Sequence, residues 1–317
     1  MSKFTTEDQI EEYNLELLDV LGYRYTHGAA IAPEGTDSGH GFQASDSGGG
    51  TYLDIARRQS FSDVLLKDRL EQALSRINPH IPPDIRAQAQ RTVQAIASPD
   101  LLSNNETFHR HLTEGVTVEY QRDGETKGEQ LWLIDWETPE NNEFLAVNQF
   151  TVIEDNRDRR PDIILFINGL PLVVIELKNA ADAKADLRAA YNQLQTYKRE
   201  IPSLFTYNAL LVISDGLHAK AGSLSANYER FSQWKRKLPN GDIDNDPDTN
   251  QLEILTQEML NPRTLLDLVR HFTVFEKDKS EDPNTGQISI KTTKKIAAYH
   301  QYYAVNLAVE SVLRACG

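Results

Sequence analysis

The stretch PLVVIELKN, residues 171–179, joins a run of apolar residues to a pair of charged ones. The apolar run predicts a buried strand, and Glu176 and Lys178 follow two positions apart, on one face of that strand. Burying either charge without a partner or a metal ion would cost several kcal/mol, so the pair indicates a site. The stretch alone leaves an alternative open, in which both side chains lie in solvent at a strand end.

The neighbouring segments predict a sheet around this stretch. The segments VTVEYQ, EQLWLIDWE and EFLAVNQFTVIED, within residues 116–155, predict an antiparallel meander, which DIILFI and LPLVVIEL continue across Asn168-Gly169. Residues 181–200 have the composition of a helix, and YNALLVISDG predicts a further buried strand. The order indicates an α/β (α+β) fold in which helices flank a mixed β-sheet.

The N-terminal part of the chain is expected to be helical. Thr6 and Gln9 fit a capping box for a first helix that ends near Gly22. Residues 28–50 are rich in glycine and predict a mobile surface loop. Apolar residues at helical spacing predict two or three helices within residues 52–98.

The C-terminal part gives weaker signals. We expect a helix near residues 256–271 and an interdomain linker at EKDKSEDPNTGQ, residues 276–287. The final segment, KKIAAYHQYYAVNLAVESVLRACG, predicts an amphipathic helix. Its apolar face indicates either a further domain beyond it or packing back on the chain.

Composition restricts the class of protein. The chain has 317 residues, 39% hydrophobic and 25% charged, which suits one large domain or two of moderate size. The single cysteine, Cys316, excludes an intrachain disulfide, and no apolar run approaches the roughly 18 residues of a membrane span. Without a signal-peptide core, a cytoplasmic protein that does not enter the membrane is expected. The formal net charge of -14 argues against strong unaided binding to DNA.

Asp162 completes a constellation with Glu176 and Lys178. It follows Arg160-Pro161, at the start of the preceding strand. Neighbouring carboxylates repel each other unless a cation lies between them, and Mg²⁺ commonly uses one or two carboxylates together with water and substrate phosphate. A lysine beside the metal can orient or deprotonate a water molecule. The constellation therefore predicts a magnesium site.

The hairpin between the two strands provides a check on this prediction. A regular two-residue loop at Asn168-Gly169 would turn Asp162 away from Glu176. A three-residue loop, or one bulge, would place the two carboxylates opposite each other with β-carbons roughly 5 Å apart. We predict the shifted register. His109 and His111, on a predicted strand or turn without further ligands, are interpreted as surface groups rather than a metal site.

Two long stretches resemble a known family. RRPDIILFINGLPLVVIELKN and AAYNQLQTYKREIPSLFTYNALLVISDG are similar to the nuclease region of the restriction (motor) subunit R of Type I restriction-modification enzymes. GVTVEY, NEFLAVNQFTV and YHQYYAV extend the resemblance, which is weakest in residues 28–105. It implies a PD-(D/E)XK restriction-endonuclease-like core with helical additions.

The resemblance also implies the members of a catalytic site, which are Asp162, Glu176, Lys178, Gln193 and Tyr197. The first three match the PD-(D/E)XK triad, in which the two acids bind Mg²⁺ and the lysine orients or activates water. Gln193 and Tyr197 match a Gln-x-x-x-Tyr element and lie one helical turn apart, so they can face the same groove. Core packing is an equally good interpretation of Tyr197.

Glu11 and Gln301 have weaker matches. Glu11 matches an acidic position on the family's first helix, where it either adds to the metal site or is a solvated acid. Gln301, in the YHQ of residues 299–301, resembles the lead-in to a motor domain, where a glutamine approaches adenine. The chain contains no Gly-x4-Gly-Lys-Ser/Thr sequence, so ATP is expected only for the full-length subunit.

The resemblance implies a division of the chain and a set of partners. Residues 1–230 would form an endonuclease domain with its core at about 105–220, residues 231–290 a helical or linker segment, and residues 291–317 the start of a truncated helicase-like motor domain. The expected partners are duplex DNA and the modification (methyltransferase) and specificity subunits of the Type I complex. Sequence recognition and methylation would reside in those subunits.

Three functions agree with these observations. The first is Mg-dependent, non-specific endonuclease cleavage of duplex DNA after ATP-driven translocation by motor domains that this chain lacks. The second is a stand-alone resolvase-like nuclease, for which dimerisation and a preference for branched DNA would be diagnostic. The third is a non-catalytic docking module, for which loss of subunit assembly without loss of metal binding would be diagnostic.

Overall fold

The computed structural model describes residues 6–34, 56–122, 124–179, 186–246, 249–281 and 288–316. The helices are α1 (Glu7–Val20), α2 (Lys67–Ile77), α3 (Pro83–Gln94), α4 (Leu101–Glu114), α5 (Leu187–Glu200), α6 (Pro202–Thr206), α7 (Gln251–Ile254), α8 (Pro262–His271) and α9 (Tyr299–Cys316). The strands are β1 (Arg24–His27), β2 (Val116–Arg122), β3 (Glu125–Leu131), β4 (Phe144–Asn148), β5 (Val152–Glu154), β6 (Arg157–Arg159), β7 (Ile163–Ile167), β8 (Leu170–Leu177), β9 (Leu210–Ser214), β10 (Ala219–Gly222), β11 (Thr273–Glu281) and β12 (Ile288–Ile296).

A six-stranded mixed sheet forms the core, in the order β1-β4-β7-β8-β9-β10. The pairs β1-β4 and β8-β9 are parallel, and the other neighbours are antiparallel. Every residue of β4, β7, β8 and β9 is buried. Continuous apolar runs such as these are typical of strands that are covered on both faces. The predicted α/β class, with helices flanking a mixed sheet, is confirmed.

Helix α5 forms the crossover between the parallel strands β8 and β9 and packs against both. Asp186 caps its N-terminus, since the carboxylate accepts a hydrogen bond of 2.8 Å from the backbone N–H of Ala189. One apolar stripe of the helix is buried, and it consists of Leu187, Ala190, Leu194 and Tyr197. The predicted strand, helix and strand unit is confirmed.

The β7-β8 hairpin contains the predicted register shift. Its two-residue turn at residues 168–169 has positive φ at both positions, 53° and 80°, which matches the turns that close tight hairpins. The register then shifts between Leu165 and Phe166, as a bulge requires. Past the shift, Ile163 pairs with Ile175. One residue further, the same register sets the carboxylates of Asp162 and Glu176 opposite each other.

The meander predicted for residues 116–155 is confirmed in the antiparallel pairing of β2 with β3, but the prediction of one continuous sheet is wrong. Strands β2 and β3 form a separate two-stranded sheet, and β5 pairs with β6 in another. Only β4 joins the six-stranded sheet, between β1 and β7. Alternating and apolar patterns indicate strands, but the choice of partner depends on packing against residues that are distant in sequence.

The N-terminal helices follow the prediction. The Thr6 hydroxyl accepts a hydrogen bond of 3.3 Å from the backbone N–H of Gln9 at the start of α1. The helix ends before Gly22, which has φ of 90°. Helices α2 and α3 lie within residues 52–98. Of the predicted glycine-rich loop, residues 35–50 lie outside the described residues, whereas residues 28–31 form a short 3-10 helix.

The strand or turn predicted for His109 and His111 is wrong, because both residues lie on α4. The His109 ring packs 5.3 Å from the ring of Phe275 on β11. Burial, together with the nearby charge of Lys294, lowers the pKa of His109 to about 3. His109 is therefore a neutral packing residue rather than the surface group that we expected.

The linker predicted at residues 276–287 is also wrong where the structure describes it. Residues 276–281 belong to β11, which pairs along its whole length with β12, and residues 282–287 lie outside the described part. The predicted helix near residues 256–271 is confirmed as a π-helical turn followed by α8.

Helix α9 follows β12 in the chain, and none of its described residues is buried. Its exposed apolar side chains are Val305, Leu307, Val309, Val312 and Leu313. In the part of the chain that the structure describes, no helix has both the length and the apolar character needed to cross a membrane.

Candidate active site

The β7-β8 hairpin positions the two acidic side chains. Asp162 immediately precedes β7, and Glu176 is the last residue but one of β8. The shifted register sets them across from each other. Asp162 is fixed from the opposite strand, since its Oδ2 accepts a hydrogen bond of 2.7 Å from the backbone N–H of Leu177.

Lys178 lies directly after β8 and contacts one of these acids, Glu176. Its Nζ donates to Oε1 of Glu176 at 2.8 Å and to the carbonyl of Leu177 at 2.7 Å. Oε1 of Glu7, at the start of α1, lies 3.8 Å from the same Nζ. The backbone N–H of Lys178 donates to the carbonyl of Ser214 at 2.8 Å, so β9 fixes the strand end.

Burial disfavours the ionised form of Asp162 and of Glu176 when no cation is bound. It raises the pKa of Asp162, although the hydrogen bond from Leu177 and the charge of Lys178 oppose the shift. Burial also raises the pKa of Glu176, and the charge of Asp162 adds to that shift. In Lys178, burial lowers the pKa, but the charge and hydrogen bond of Glu176, together with the charges of Asp162 and Glu7, make the net shift upward.

These oxygens fit a hard divalent cation. Glu176 is 1% exposed, and its Oε2 is buried without a hydrogen-bond partner in the described part of the chain. An unpaired buried carboxylate oxygen is costly unless a cation or a proton satisfies it. Among the described residues, no group of three or more His, Cys, Asp or Glu side chains could hold a metal ion. A cation bound by Asp162 and Glu176 would therefore keep several water or substrate ligands, as Mg²⁺ commonly does.

The side chains of Gln193 and Tyr197 on α5 lie near Asp162 and Glu176. Nε2 of Gln193 donates to the hydroxyl of Tyr197 at 3.0 Å, and that hydroxyl lies 3.5 Å from the carbonyl of Arg160. Tyr197 is 3% exposed, so it packs in the core as well. Burial raises the pKa of Tyr197, and the charge of Glu176 raises it further. The structure thus brings Gln193 and Tyr197 to the acidic pair.

Glu11 lies beside this cluster rather than within it. Its two carboxylate oxygens accept hydrogen bonds from the side-chain amides of Asn148 and Gln149. Burial raises its pKa, while these hydrogen bonds and the charge of Arg160 lower it. The charge of Glu11 in turn raises the pKa of Asp162. Glu11 acts on the site through its charge.

Three neighbours of the site were missed by the sequence analysis. Glu7 lies one helical turn before Glu11 on α1, so an acid at that spacing was the available signal. Asn148 and Gln149 interrupt an apolar run at the end of β4, but nothing local connects them to α1. Gln301 lies elsewhere, in the first turn of α9, where its Oε1 accepts a hydrogen bond of 2.9 Å from the backbone N–H of Ala298.

Comparison with known proteins places the chain in a family. The family model described as Type I restriction enzyme R protein N terminus matches residues 4–230, which include every residue of the cluster described above. The chain belongs to the Type I restriction enzyme R protein family.

Individual relatives agree with this family. The Type I restriction enzyme HindI endonuclease subunit of Haemophilus influenzae is 39% identical over 311 residues, which cover 97% of this chain and 27% of the relative. A Methanocaldococcus jannaschii protein, provisionally named as the MjaIXP type I restriction enzyme endonuclease subunit, is 31% identical over 99% of this chain and 28% of its own length. The chain thus spans about a quarter of the length of these R proteins.

Proposed function

We propose that this chain carries the endonuclease site of a Type I restriction enzyme, and that the site hydrolyses phosphodiester bonds of duplex DNA with Mg²⁺ and without sequence specificity. The observation that carries the proposal is Oε2 of Glu176, which is buried and has no hydrogen-bond partner among the described residues. The same carboxylate lies across the hairpin from Asp162, and its Oε1 accepts a hydrogen bond from Lys178. This is a PD-(D/E)XK arrangement of side chains. Membership of a family whose relatives are named endonuclease subunits supports it.

Asp162 and Glu176 would hold the cation through carboxylate oxygens, because oxygen is the ligand that Mg²⁺ prefers. A bound Mg²⁺ would neutralise charge on the scissile phosphate and make a bound water more acidic. The hydrogen bond from Leu177 keeps Asp162 directed across the hairpin. Neutralisation of the two acids by the cation would also offset the energetic cost of their burial.

Lys178 would orient the attacking water as a hydrogen-bond donor. Its pKa is raised by the neighbouring Glu176, so the side chain is an ammonium near neutral pH. An ammonium can donate hydrogen bonds to water or to a phosphate oxygen but cannot accept a proton. Of the two roles expected from the sequence, orientation of water therefore fits this geometry better than deprotonation.

Gln193 and Tyr197 would complete the wall of the site. The charge of Glu176 acts on the hydroxyl of Tyr197, and the amide of Gln193 donates to that hydroxyl at 3.0 Å. A carboxylate with a fixed neighbour loses less freedom when it binds a cation. The pair would thus keep Glu176 in one orientation.

In the full-length subunit, the site would act as one part of a larger machine. ATP-driven translocation by motor domains outside this chain would bring DNA to it, and the specificity and modification subunits would choose where the enzyme begins. The net charge of -14 suits this division, because a nuclease with weak intrinsic affinity for DNA cuts little until DNA is delivered.

The proposal is tested by Glu176→Ala and Lys178→Ala in the full-length subunit within its complex. Double-strand cleavage should fall by a factor of about 10³ or more, since each change removes a group that acts on the reacting phosphate. ATP hydrolysis and translocation should persist. Glu200→Gln is a matched control, because Glu200 pairs with Arg159 outside the cluster, and it should cleave normally. Unchanged cleavage in Glu176→Ala would refute the site.

A further inference from the structure

Two consecutive residues at the end of β4 hold the same carboxylate. The side-chain amides of Asn148 and Gln149 each donate to a different oxygen of Glu11, with 2.6 Å for the bond from Gln149. In a regular strand, successive side chains point to opposite faces of the sheet, so neighbours do not share a partner. These two do, because the strand ends at Asn148 and Gln149 has a left-handed backbone with φ of 54°.

The left-handed backbone of Gln149 is fixed on both sides. Its N–H donates to the carbonyl of Asp162 at 2.9 Å. On the other side, a β-carbon added to Gly28 would lie 2.4 Å from the carbonyl oxygen of Gln149, so only glycine permits this close approach. A residue other than glycine rarely adopts positive φ, and such residues occur often at functional sites.

The orientation of the second amide is also determined. The hydroxyl of Tyr25 donates to Oδ1 of Asn148 at 3.0 Å, which leaves Nδ2 of Asn148 to face Glu11. Burial opposes ionisation of Glu11, and the two amide donors favour it. The net shift of the Glu11 pKa is upward, so the two amides offset part of the cost of a buried negative charge at this place.

We propose that Gln149 is a positioning residue of the nuclease site, in which its backbone holds the strand end that carries Asp162 while its side chain holds the carboxylate of Glu11 at a fixed place beside it. Glu11 then adds negative charge near the divalent cation without joining its direct ligands. This inference rests on the proposed function. It assigns Gln149 a role in cation affinity, as residues that orient metal ligands or their neighbours generally have.

The test uses Gln149→Met and Gln149→Gly in the full-length protein. Methionine keeps the length of the side chain and the unfavourable positive φ but has no donor, whereas glycine removes the side chain and relieves the positive φ. Calorimetric titration with Mg²⁺ alone, without DNA or ATP, measures cation affinity, with Glu176→Gln as the baseline for Mg²⁺ bound elsewhere. Both variants should bind Mg²⁺ about 10- to 100-fold more weakly than the wild type. The melting temperature of Gln149→Gly should nevertheless equal or exceed that of Gln149→Met, because glycine relieves the positive φ.

A purely structural role gives a different result. Affinity within twofold of wild type in either variant, or affinity that falls only where the melting temperature falls, would overturn the inference. Asn156→Met is the matched control, since Asn156 also has positive φ, 60°, but lies in the exposed turn between β5 and β6; it should leave Mg²⁺ affinity unchanged. In a Glu11→Gln background, Gln149→Met should add less than a twofold further loss, because the two residues act together.

A different set of results would show that the proposed function itself is wrong. A wild-type protein that shows no more Mg²⁺ binding than Glu176→Gln, and whose cleavage survives Glu176→Ala, would have no site for Gln149 to position. Normal wild-type binding with unaffected Gln149 variants would reject only the role of Gln149.

Discussion

Two lysines of the described chain, the buried Lys294 and the partly buried Lys178, lie in opposite surroundings. Lys294 on β12 is 1% exposed, and its Nζ donates to two neutral oxygens, Oδ1 of Asn105 at 2.9 Å and the carbonyl of Asn208 at 2.7 Å. Lys178, at the end of β8, donates instead to a carboxylate, that of Glu176. One lysine joins the β11-β12 hairpin to α4, and the other lies in the candidate active site.

The two surroundings shift the lysine pKa in opposite directions. Burial lowers the pKa of Lys294 to about 7, since neutral oxygens do not offset the loss of hydration. In Lys178, burial acts in the same direction, but the neighbouring acids together, with Glu176 first among them, make the net shift upward. The Lys294 ammonium faces neutral oxygens, whereas Lys178 faces two acidic side chains, Glu176 and Asp162. We expect the first arrangement to stabilise the fold, and we propose that the second binds a cation.

The largest effect on stability is expected for Lys294→Ala. This change removes a fully buried side chain and leaves Oδ1 of Asn105 without its donor. The free energy of unfolding should fall by about 2–5 kcal/mol, measured by equilibrium urea unfolding. Lys295→Ala is the control, because Lys295 is half exposed and pairs with Glu276 on the surface; it should change stability by less than about 1 kcal/mol. Equal losses in the two variants would mean that Lys294 does not anchor the hairpin.

The pH dependence of stability sharpens the same contrast. The pKa of Lys294 is about 7 in the folded protein and about 10.4 when unfolded. Between these values the unfolded chain binds more protons, so this group makes stability rise with pH, by at most about 1.4 kcal/mol per pH unit. The difference in unfolding free energy between wild type and Lys294→Met should therefore grow in favour of wild type from pH 7 to pH 9. A difference that stays constant over that range would show that Lys294 remains charged in the fold.

Local patterns were sufficient for the part of the site that one hairpin contains. The apolar run before Glu176 predicted β8, and the chemistry of two acids predicted the register shift that sets Asp162 opposite it. The stripe on α5 likewise predicted the crossover that brings Tyr197 to the site. These features depend on neighbours in sequence, where the period of the pattern and the turn determine the geometry.

Contacts between distant segments were not predictable in the same way. Glu11 and Gln149 are 138 positions apart and meet through the packing of α1 on β4. The β11-β12 hairpin was mistaken for a linker because most residues of β11 are exposed, so the strand has no apolar stripe. Its order comes from strand pairing and from Lys294, a residue type that sequence patterns assign to the surface.

The smallest effect, and the most direct comparison of the two lysine sites, is expected for Glu176→Gln without divalent cations. The amide oxygen can still accept from Lys178, and the repulsion between the carboxylates of Glu176 and Asp162 disappears. We expect the unfolding free energy to rise by about 1 kcal/mol, as happens when a residue kept for function rather than stability is replaced. Thermal melts in EDTA, with Glu200→Gln as a surface control, measure the change.

Adding Mg²⁺ distinguishes a cation-binding site at Glu176 from a carboxylate that is merely poorly packed. A cation that binds only the folded state raises its stability according to concentration and affinity. Added Mg²⁺ should therefore raise the melting temperature of the wild type and not that of Glu176→Gln, so the order of the two proteins should reverse as Mg²⁺ increases. If Glu176→Gln is less stable than wild type in EDTA, the carboxylate contributes to the fold as Lys294 does, and the contrast between the two lysine sites fails.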